Sequence, residues 1–239
     1  MAIGKFIAIE GIDGSGLTTQ ADLLKRWLEK QGRMTYLTKE PTDGPAGAII
    51  RLTLSRRLIG ARSRLNSSAS QSIGLDPATI ALLFAADRID HLTGDVRPKL
   101  DKGINVICDR YWLSSFAYQA VDLDLEWVRQ INSKAITPDL TIFLDIPVEI
   151  ARKRIDTHRW HVELFEDLDK LIQVRENYLA CIRKLQAEGH KVVPVDANQP
   201  VELVHRLLQK LVKALFSGTD FLSNGQLELI NKVDETSEG

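Results

Sequence analysis

A glycine-rich segment between an apolar strand and an amphipathic helix constrains the fold of this chain most. The run Phe6–Ile9 predicts a buried strand, and the apolar face of Thr18–Gln31 predicts a helix. Between them the chain follows the pattern G-x-x-x-x-G-K-S/T at all but one position. Backbone amides and a helix N-terminus in this arrangement favour an anion, which we predict to be a phosphate. The predicted phosphate-binding residues are Gly11, Ile12, Asp13, Gly14, Ser15, Gly16, Leu17, Thr18 and Thr19.

Leu17 stands where the pattern has a lysine. That lysine normally reaches the β- and γ-phosphates of a nucleotide, whereas leucine supplies neither charge nor a hydrogen bond. A cation that stabilises the transition state of phosphoryl transfer can contribute about 10³–10⁵ in rate. Binding depends less on this position, because the backbone amides remain and Thr18 offers a hydroxyl to Mg²⁺.

Strands and helices alternate along the rest of the chain, which predicts a parallel sheet built from βαβ units. Because the strands are apolar on both faces, we expect helices on both sides of the sheet. The predicted fold is a three-layer α/β/α structure with a five-stranded parallel sheet. The other predicted strands are Thr35–Leu37, Ile104–Cys108, Leu140–Asp145 and Val192–Val195. The other predicted helices are Pro77–Leu92, Leu113–Tyr118, Leu125–Ile136, Val148–Arg154, Leu168–Glu188 and Val201–Phe216.

Composition limits the compartment and the partners. The 239 residues include 31 basic and 32 acidic side chains, a balance that argues against a general nucleic-acid or membrane binder. Two cysteines are too few for a disulfide framework and favour a cytoplasmic protein. The longest apolar run, Ile80–Ala86, is far shorter than a membrane helix requires. We predict one domain over residues 1–216 and a flexible acidic tail over 217–239. The arginine-rich segment 55–76 is predicted to be a mobile surface loop or a short frayed helix.

Five motifs in this order resemble the thymidylate kinase family of nucleoside monophosphate kinases, over roughly residues 4–215. They are Glu10–Gln20, Thr38–Pro41, Leu82–Arg88, Asp109–Tyr111 with Ser114–Gln119, and Pro138–Asp145. The resemblance implies a P-loop NTPase fold and a homodimer. It also implies transfer of the γ-phosphoryl group of ATP to dTMP with Mg²⁺.

The resemblance also implies roles for individual residues. Phe84 would stack on the thymine ring, and Arg88 would hydrogen-bond the edge of the base. Thr18 and Asp109 would organise Mg²⁺. The implied dTMP-binding residues are Asp13, Glu40, Arg51, Phe84, Arg88, Arg110, Ser115, Tyr118 and Gln119. The implied catalytic residues are Asp13, Asp109, Arg110 and Arg159.

A lid is implied at about residues 155–166. Members of the family with a small residue at the position of Ser15 usually supply arginines to the donor phosphates from the lid. The candidates are Arg152, Arg154 and Arg159. Leu164 stands where the related motif D-R-F-E has its arginine, so a second expected cation is missing.

The missing cations leave several interpretations open. The chain is an active kinase in which Arg159, Arg154 or Lys39 replaces the lysine, or a catalytically weak, nucleotide-binding regulatory homologue. A third interpretation is a kinase for another pyrimidine monophosphate. A fourth is that Leu17 was introduced by engineering. The acceptor residues Phe84, Arg88 and Arg110 favour a kinase, because a sensor of ATP alone has no use for them.

Overall fold

A five-stranded, wholly parallel sheet forms the centre of the protein, in the order β2-β3-β1-β4-β5. The structure is a computed structural model that describes residues 3–55, 57–58, 75–158 and 168–218, with backbone alone at 157 and 158. The predicted strands are confirmed to within two residues at each end. The strands are β1 (Phe6–Gly11), β2 (Thr35–Lys39), β3 (Asn105–Asp109), β4 (Leu140–Asp145) and β5 (Val192–Asp196).

Helices connect the strands and cover the sheet. A π-helical turn, Leu92–Val96, joins α3 to α4, and a 3₁₀ turn, Gln119–Val121, continues α5. The first five helices are α1 (Leu17–Lys30), α2 (Pro45–Leu54), α3 (Pro77–His91), α4 (Arg97–Asp101) and α5 (Trp112–Tyr118). The others are α6 (Leu125–Ile131), α7 (Val148–His158), α8 (Leu168–Ala187) and α9 (Val201–Ser217).

The alternation of side chains along β1 builds a layer on each face of the sheet. Ile7 and Ile9 belong to a large apolar cluster that includes Leu24 of α1. Phe6 and Ala8, which point to the opposite face, belong to a second cluster. This second cluster includes residues of β3, α4 and the π-helical turn. Both faces of the sheet are therefore covered, which confirms the predicted three-layer α/β/α fold.

Several predicted boundaries differ from the structure. α2 was not predicted, although Pro45 is a favoured first-turn residue and Gly44 precedes it. α6 ends at Ile131 instead of Ile136, because the chain turns at Asn132, whose side-chain amide bonds the Val128 carbonyl. α7 continues past Arg154 to His158, so the predicted lid begins inside a helix. Most of the predicted loop at 55–76, the rest of the lid and nearly all of the tail lie outside the described residues.

Candidate active site

The phosphate loop connects β1 to α1 and has two glycines in the left-handed region. Gly14 has φ 81° and Gly16 has φ 93°, a conformation that other residues rarely adopt. A Cβ atom on Gly14 would lie 2.5 Å from the carbonyl oxygen of Ala151. Glycine at position 14 therefore allows α7 to pack directly against the loop.

The first turn of α1 has the open amides that an anion requires. No side chain caps this turn within the described structure, and its N-cap is Gly16. The buried Ser15 hydroxyl also has no hydrogen-bond partner among the described residues. Leu17 is only 7% exposed and belongs to the large apolar cluster, so its side chain packs as a core residue. The loop keeps its backbone donors but not the lysine charge.

Asp13, Arg110 and Tyr118 form one hydrogen-bonded group at the phosphate loop. Arg110 donates to an Asp13 carboxylate oxygen at 2.8 Å and to the Gly11 carbonyl at 2.7 Å. The Tyr118 hydroxyl donates to the other Asp13 oxygen at 3.1 Å. Burial raises the pKa of Tyr118, so its hydroxyl stays protonated as a donor. Arg110 has φ 67°, a strained backbone conformation for a residue other than glycine.

Glu10 is a fully buried carboxylate beneath this group. Its oxygens accept hydrogen bonds from the Tyr111 amide at 3.0 Å and the Tyr178 hydroxyl at 3.3 Å, and from the Ser114 hydroxyl at 2.5 Å. Burial raises the pKa of Glu10, and the bonds from Ser114 oppose that rise. Glu10 thereby ties β1 to the segment that starts α5 and to α8.

Thr18 and Asp109 meet at the carboxyl edge of the sheet. The Thr18 hydroxyl donates to Asp109 Oδ2 at 2.7 Å. A hydroxyl and a carboxylate are the hard oxygen ligands that Mg²⁺ prefers, so these two residues fit that ion. Both line a cavity of about 450 Å³, to which Lys39, Asp43 and His91 also contribute.

Arg88 is the centre of a second, buried polar group. Its side chain donates to Glu40 Oε2 from Nε at 2.9 Å, and Nη2 forms an ion pair with the same oxygen at 2.7 Å. Nη1 donates to the Ser115 hydroxyl at 3.1 Å and to the Asn132 side-chain oxygen. His91 Nδ1 lies 3.0 Å from Glu40 Oε1. The structure therefore brings the predicted residues Glu40, Arg88 and Ser115 together, with Glu40 holding Arg88.

Phe84, Gln119 and Arg51 are further predicted dTMP-binding residues that the structure describes. Phe84 is half-buried, lies one helical turn before Arg88, and is absent from both apolar clusters of the described residues. The buried Gln119 side-chain oxygen has no hydrogen-bond partner within the described residues. Arg51 lies on α2, and its side chain donates to the carbonyls of Pro41 and Thr42 in the loop after β2.

Arg154 is the lid candidate that reaches the phosphate loop. Its guanidinium donates to the Gly14 carbonyl and to the Ala197 carbonyl, each at 3.4 Å. It thus spans the phosphate loop and the segment after β5. Arg152 instead pairs with Asp156 one turn further along α7. Arg159 lies outside the described residues.

Comparison with known proteins identifies the family. The family model for thymidylate kinase matches residues 9–208. The chain belongs to the thymidylate kinase family. It is 44% identical over 211 residues to a probable thymidylate kinase of Pyrococcus abyssi, covering 88% of this chain and 96% of the relative. A probable thymidylate kinase of Pyrobaculum aerophilum is 40% identical over 209 residues, covering 87% and 96% respectively.

The site of this thymidylate kinase-family chain also contains polar residues that were not predicted from the sequence. Glu10 carried a signal, since a charged residue inside an otherwise apolar buried strand needs partners. His91 lies three residues after Arg88 and shares its helix face, which is a weaker signal. Asn132 had no local signal, because it reaches Arg88 only through the packing of α6 beside α3.

Proposed function

We propose that this protein transfers the γ-phosphoryl group of ATP to dTMP, giving ADP and dTDP. The observation that carries the proposal is the position of Arg110, which bonds both the phosphate-loop carbonyl of Gly11 and the Asp13 carboxylate. This arginine joins the predicted donor site, at the loop, to the predicted acceptor site, at Asp13 and Tyr118. A guanidinium there can bridge the two phosphates that exchange the phosphoryl group.

The transfer itself requires positioning and neutralisation of charge. An oxygen of the dTMP phosphate attacks the γ-phosphorus of ATP, and the bond to the oxygen of ADP breaks. Thr18 and Asp109 would hold Mg²⁺, which supplies positive charge to the phosphate oxygens when bound. Arg110 holds the acceptor phosphate, and Asp13 and Tyr118 fix the orientation of that arginine and of the sugar.

Recognition of the base rests on Arg88 and its neighbours. Arg88 is 1% exposed and anchored by Glu40, so it presents hydrogen-bond donors in a fixed direction. Donors at this position suit the carbonyl edge of thymine and disfavour the amino group of cytosine. Phe84 offers a half-buried ring for stacking, and Gln119 offers a buried carbonyl oxygen that lacks a partner in the described structure.

Fast transfer requires a positive charge at the β- and γ-phosphates, and Leu17 carries none. Another group must therefore supply this charge. Arg154 lies closest to this task among the predicted candidates that the structure describes, because it contacts the loop at Gly14. Its bonds to the two carbonyls are long at 3.4 Å each, near the outer limit of hydrogen-bond distance. Lys39 is 60% exposed and pairs with Asp43 at 3.7 Å, beside the predicted metal ligands.

We further propose a cytoplasmic homodimer. α2 and α3 pack together and expose apolar side chains at Ile49, Leu52, Leu82 and Ile89. Such a patch marks a surface for association, and we place a second copy of the chain on it. No described helix is long and apolar enough to cross a membrane. Light scattering on the protein and on Leu82→Glu tests the dimer, which the variant is expected to weaken.

Separation of the nucleotide products after incubation with ATP and Mg²⁺ tests the activity. We offer dTMP, dUMP and dCMP as alternative acceptors and expect dTDP as the main diphosphate product. Calorimetric titration with dTMP, on the protein and on Arg88→Leu, checks base recognition separately. Binding of both nucleotides without turnover would instead indicate a regulatory homologue. Preferred phosphorylation of dCMP would contradict the assignment of Arg88.

A further inference from the structure

We infer that His91 is a positioning residue that holds Arg88 in its base-reading orientation through the carboxylate of Glu40. The inference rests on the proposed function, in which Arg88 hydrogen-bonds the acceptor base. His91 ends α3, three residues after Arg88, so the two side chains project from one face of the helix toward Glu40.

The hydrogen bonds of His91 set which ring nitrogen faces Glu40. Nδ1 lies 3.0 Å from Glu40 Oε1, and Nε2 lies 2.8 Å from the Thr38 hydroxyl. The Glu40 carboxylate, paired with Arg88, only accepts, so Nδ1 carries the hydrogen of this bond. Thr38 holds the opposite side of the ring through Nε2.

The two oxygens of Glu40 are divided between its two partners. Oε2 accepts from Nε of Arg88 and pairs with its Nη2, whereas Oε1 accepts from His91. Glu40 is 5% exposed, so an Oε1 without its donor would be a buried, unsatisfied acceptor. Without His91, the carboxylate is expected to rotate toward other donors and change its contact with Arg88.

This rotation matters because Arg88 has little freedom left for a ligand. Three of its five N–H groups donate to Glu40, Ser115 and Asn132 in the described structure. The amide of Asn132 is itself fixed by its bond to the Val128 carbonyl at 2.8 Å. The third guanidinium nitrogen, Nη2, lies 2.7 Å from Glu40 Oε2 as an ion pair. Its direction, and hence its fit to a base carbonyl, depends on how Glu40 is held.

A pair of substitutions at His91 separates the hydrogen bond from the volume of the ring. In His91→Asn the side-chain amide nitrogen replaces Nδ1 as a donor to Glu40, whereas His91→Leu removes the donor. We expect His91→Leu to raise the KM and the Kd for dTMP by about tenfold or more, as expected for one lost hydrogen bond to a charged group. The KM for ATP and the kcat at saturating dTMP should stay within about threefold of wild type. His91→Asn should restore most of the dTMP affinity.

His205→Leu provides the matched control, since His205 lies on α9 and contacts Gln209. Thr38→Val provides a second variant if His91→Leu fails to fold, because it removes the hydrogen-bond partner of Nε2. We expect it to weaken dTMP binding more than Thr38→Ser does. Unchanged dTMP affinity in a folded His91→Leu, or equal losses for ATP and dTMP, would overturn the role of His91. A wild-type protein that neither binds nor phosphorylates dTMP would instead overturn the proposed function.

Discussion

The Thr18 hydroxyl donates a 2.7 Å hydrogen bond to the Asp109 carboxylate, although the two residues are 91 positions apart. They meet because α1 begins, and β3 ends, at the carboxyl edge of adjacent parallel strands. This edge is where open α/β sheets bind their ligands. The pair links the phosphate loop to the carboxylate at the end of β3.

Thr18→Val is expected to weaken the response of the kinase to Mg²⁺. The substitution keeps the shape of the side chain and removes one oxygen ligand. We expect the Mg²⁺ concentration for half-maximal activity to rise about 10- to 100-fold, the usual effect of disturbing a metal site. A titration of activity with Mg²⁺ measures this value. Thr18→Ser keeps the hydroxyl and should behave like wild type, and equal responses of the two variants would refute the assignment.

Leu17→Lys is expected to accelerate the transfer. The ammonium would restore charge at the β- and γ-phosphates, beside the backbone donors of the loop and the contact from Arg154. We expect kcat to rise at least about tenfold, within the large effect that a transition-state cation has. Steady-state kinetics with saturating ATP and dTMP give the value. A kcat that stays constant would show that another group already supplies this charge.

Arg154→Ala is expected to weaken binding of ATP selectively. Arg154 bridges the carbonyl of Gly14 in the phosphate loop and that of Ala197 after β5. Loss of a charge-assisted contact should raise the KM for ATP about 10- to 100-fold. Arg152→Ala is the matched control, since Arg152 pairs with Asp156 on the same helix. Equal effects of both variants, or a change confined to the KM for dTMP, would contradict this placement.

Glu10 should make the stability of the protein depend on pH. Burial raises the pKa of Glu10 in the folded state, so the proton is bound more tightly there than in the unfolded chain. The stabilisation is fully present below the unfolded pKa and is lost as the pH rises through the folded pKa. Thermal unfolding between about pH 4 and 7 should therefore show the Tm of wild type falling relative to that of Glu10→Gln.

The surface variant Glu29→Gln controls for the loss of a single negative charge. Glu29 is exposed and pairs with Lys25 on α1, so its removal should not alter the pH dependence of the Tm. If Glu10→Gln follows wild type across the whole pH range, the carboxylate of Glu10 does not titrate as its burial requires.

Much of the fold was predictable because its signals are local. The five strands are short apolar runs, and each helix that borders the phosphate loop shows a periodic apolar face. α2 was missed because Gly44 and Pro45 are a single signal for its start and follow a polar segment that is typical of a loop. The end of α6 was missed because Asn132 stops the helix through its side-chain bond to Val128.

The site was predictable where a motif fixes both residue type and position. Residues named singly from different motifs form contacts in the structure, namely Asp13 with Arg110, Thr18 with Asp109, and Glu40 with Arg88. The supporting residues were not predictable, since Asn132 and Tyr178 reach the site from distant helices. Their contribution depends on packing between elements, which the spacing of residues in one segment does not encode.

The most direct test is the conversion of dTMP to dTDP by the wild-type protein with ATP and Mg²⁺. Separation of the nucleotides over time should show dTDP and ADP appearing in equal amounts, with little product in Arg110→Ala. The account predicts this outcome even with leucine at position 17. No dTDP above the enzyme-free background, at high enzyme concentration and with both substrates saturating, would contradict it.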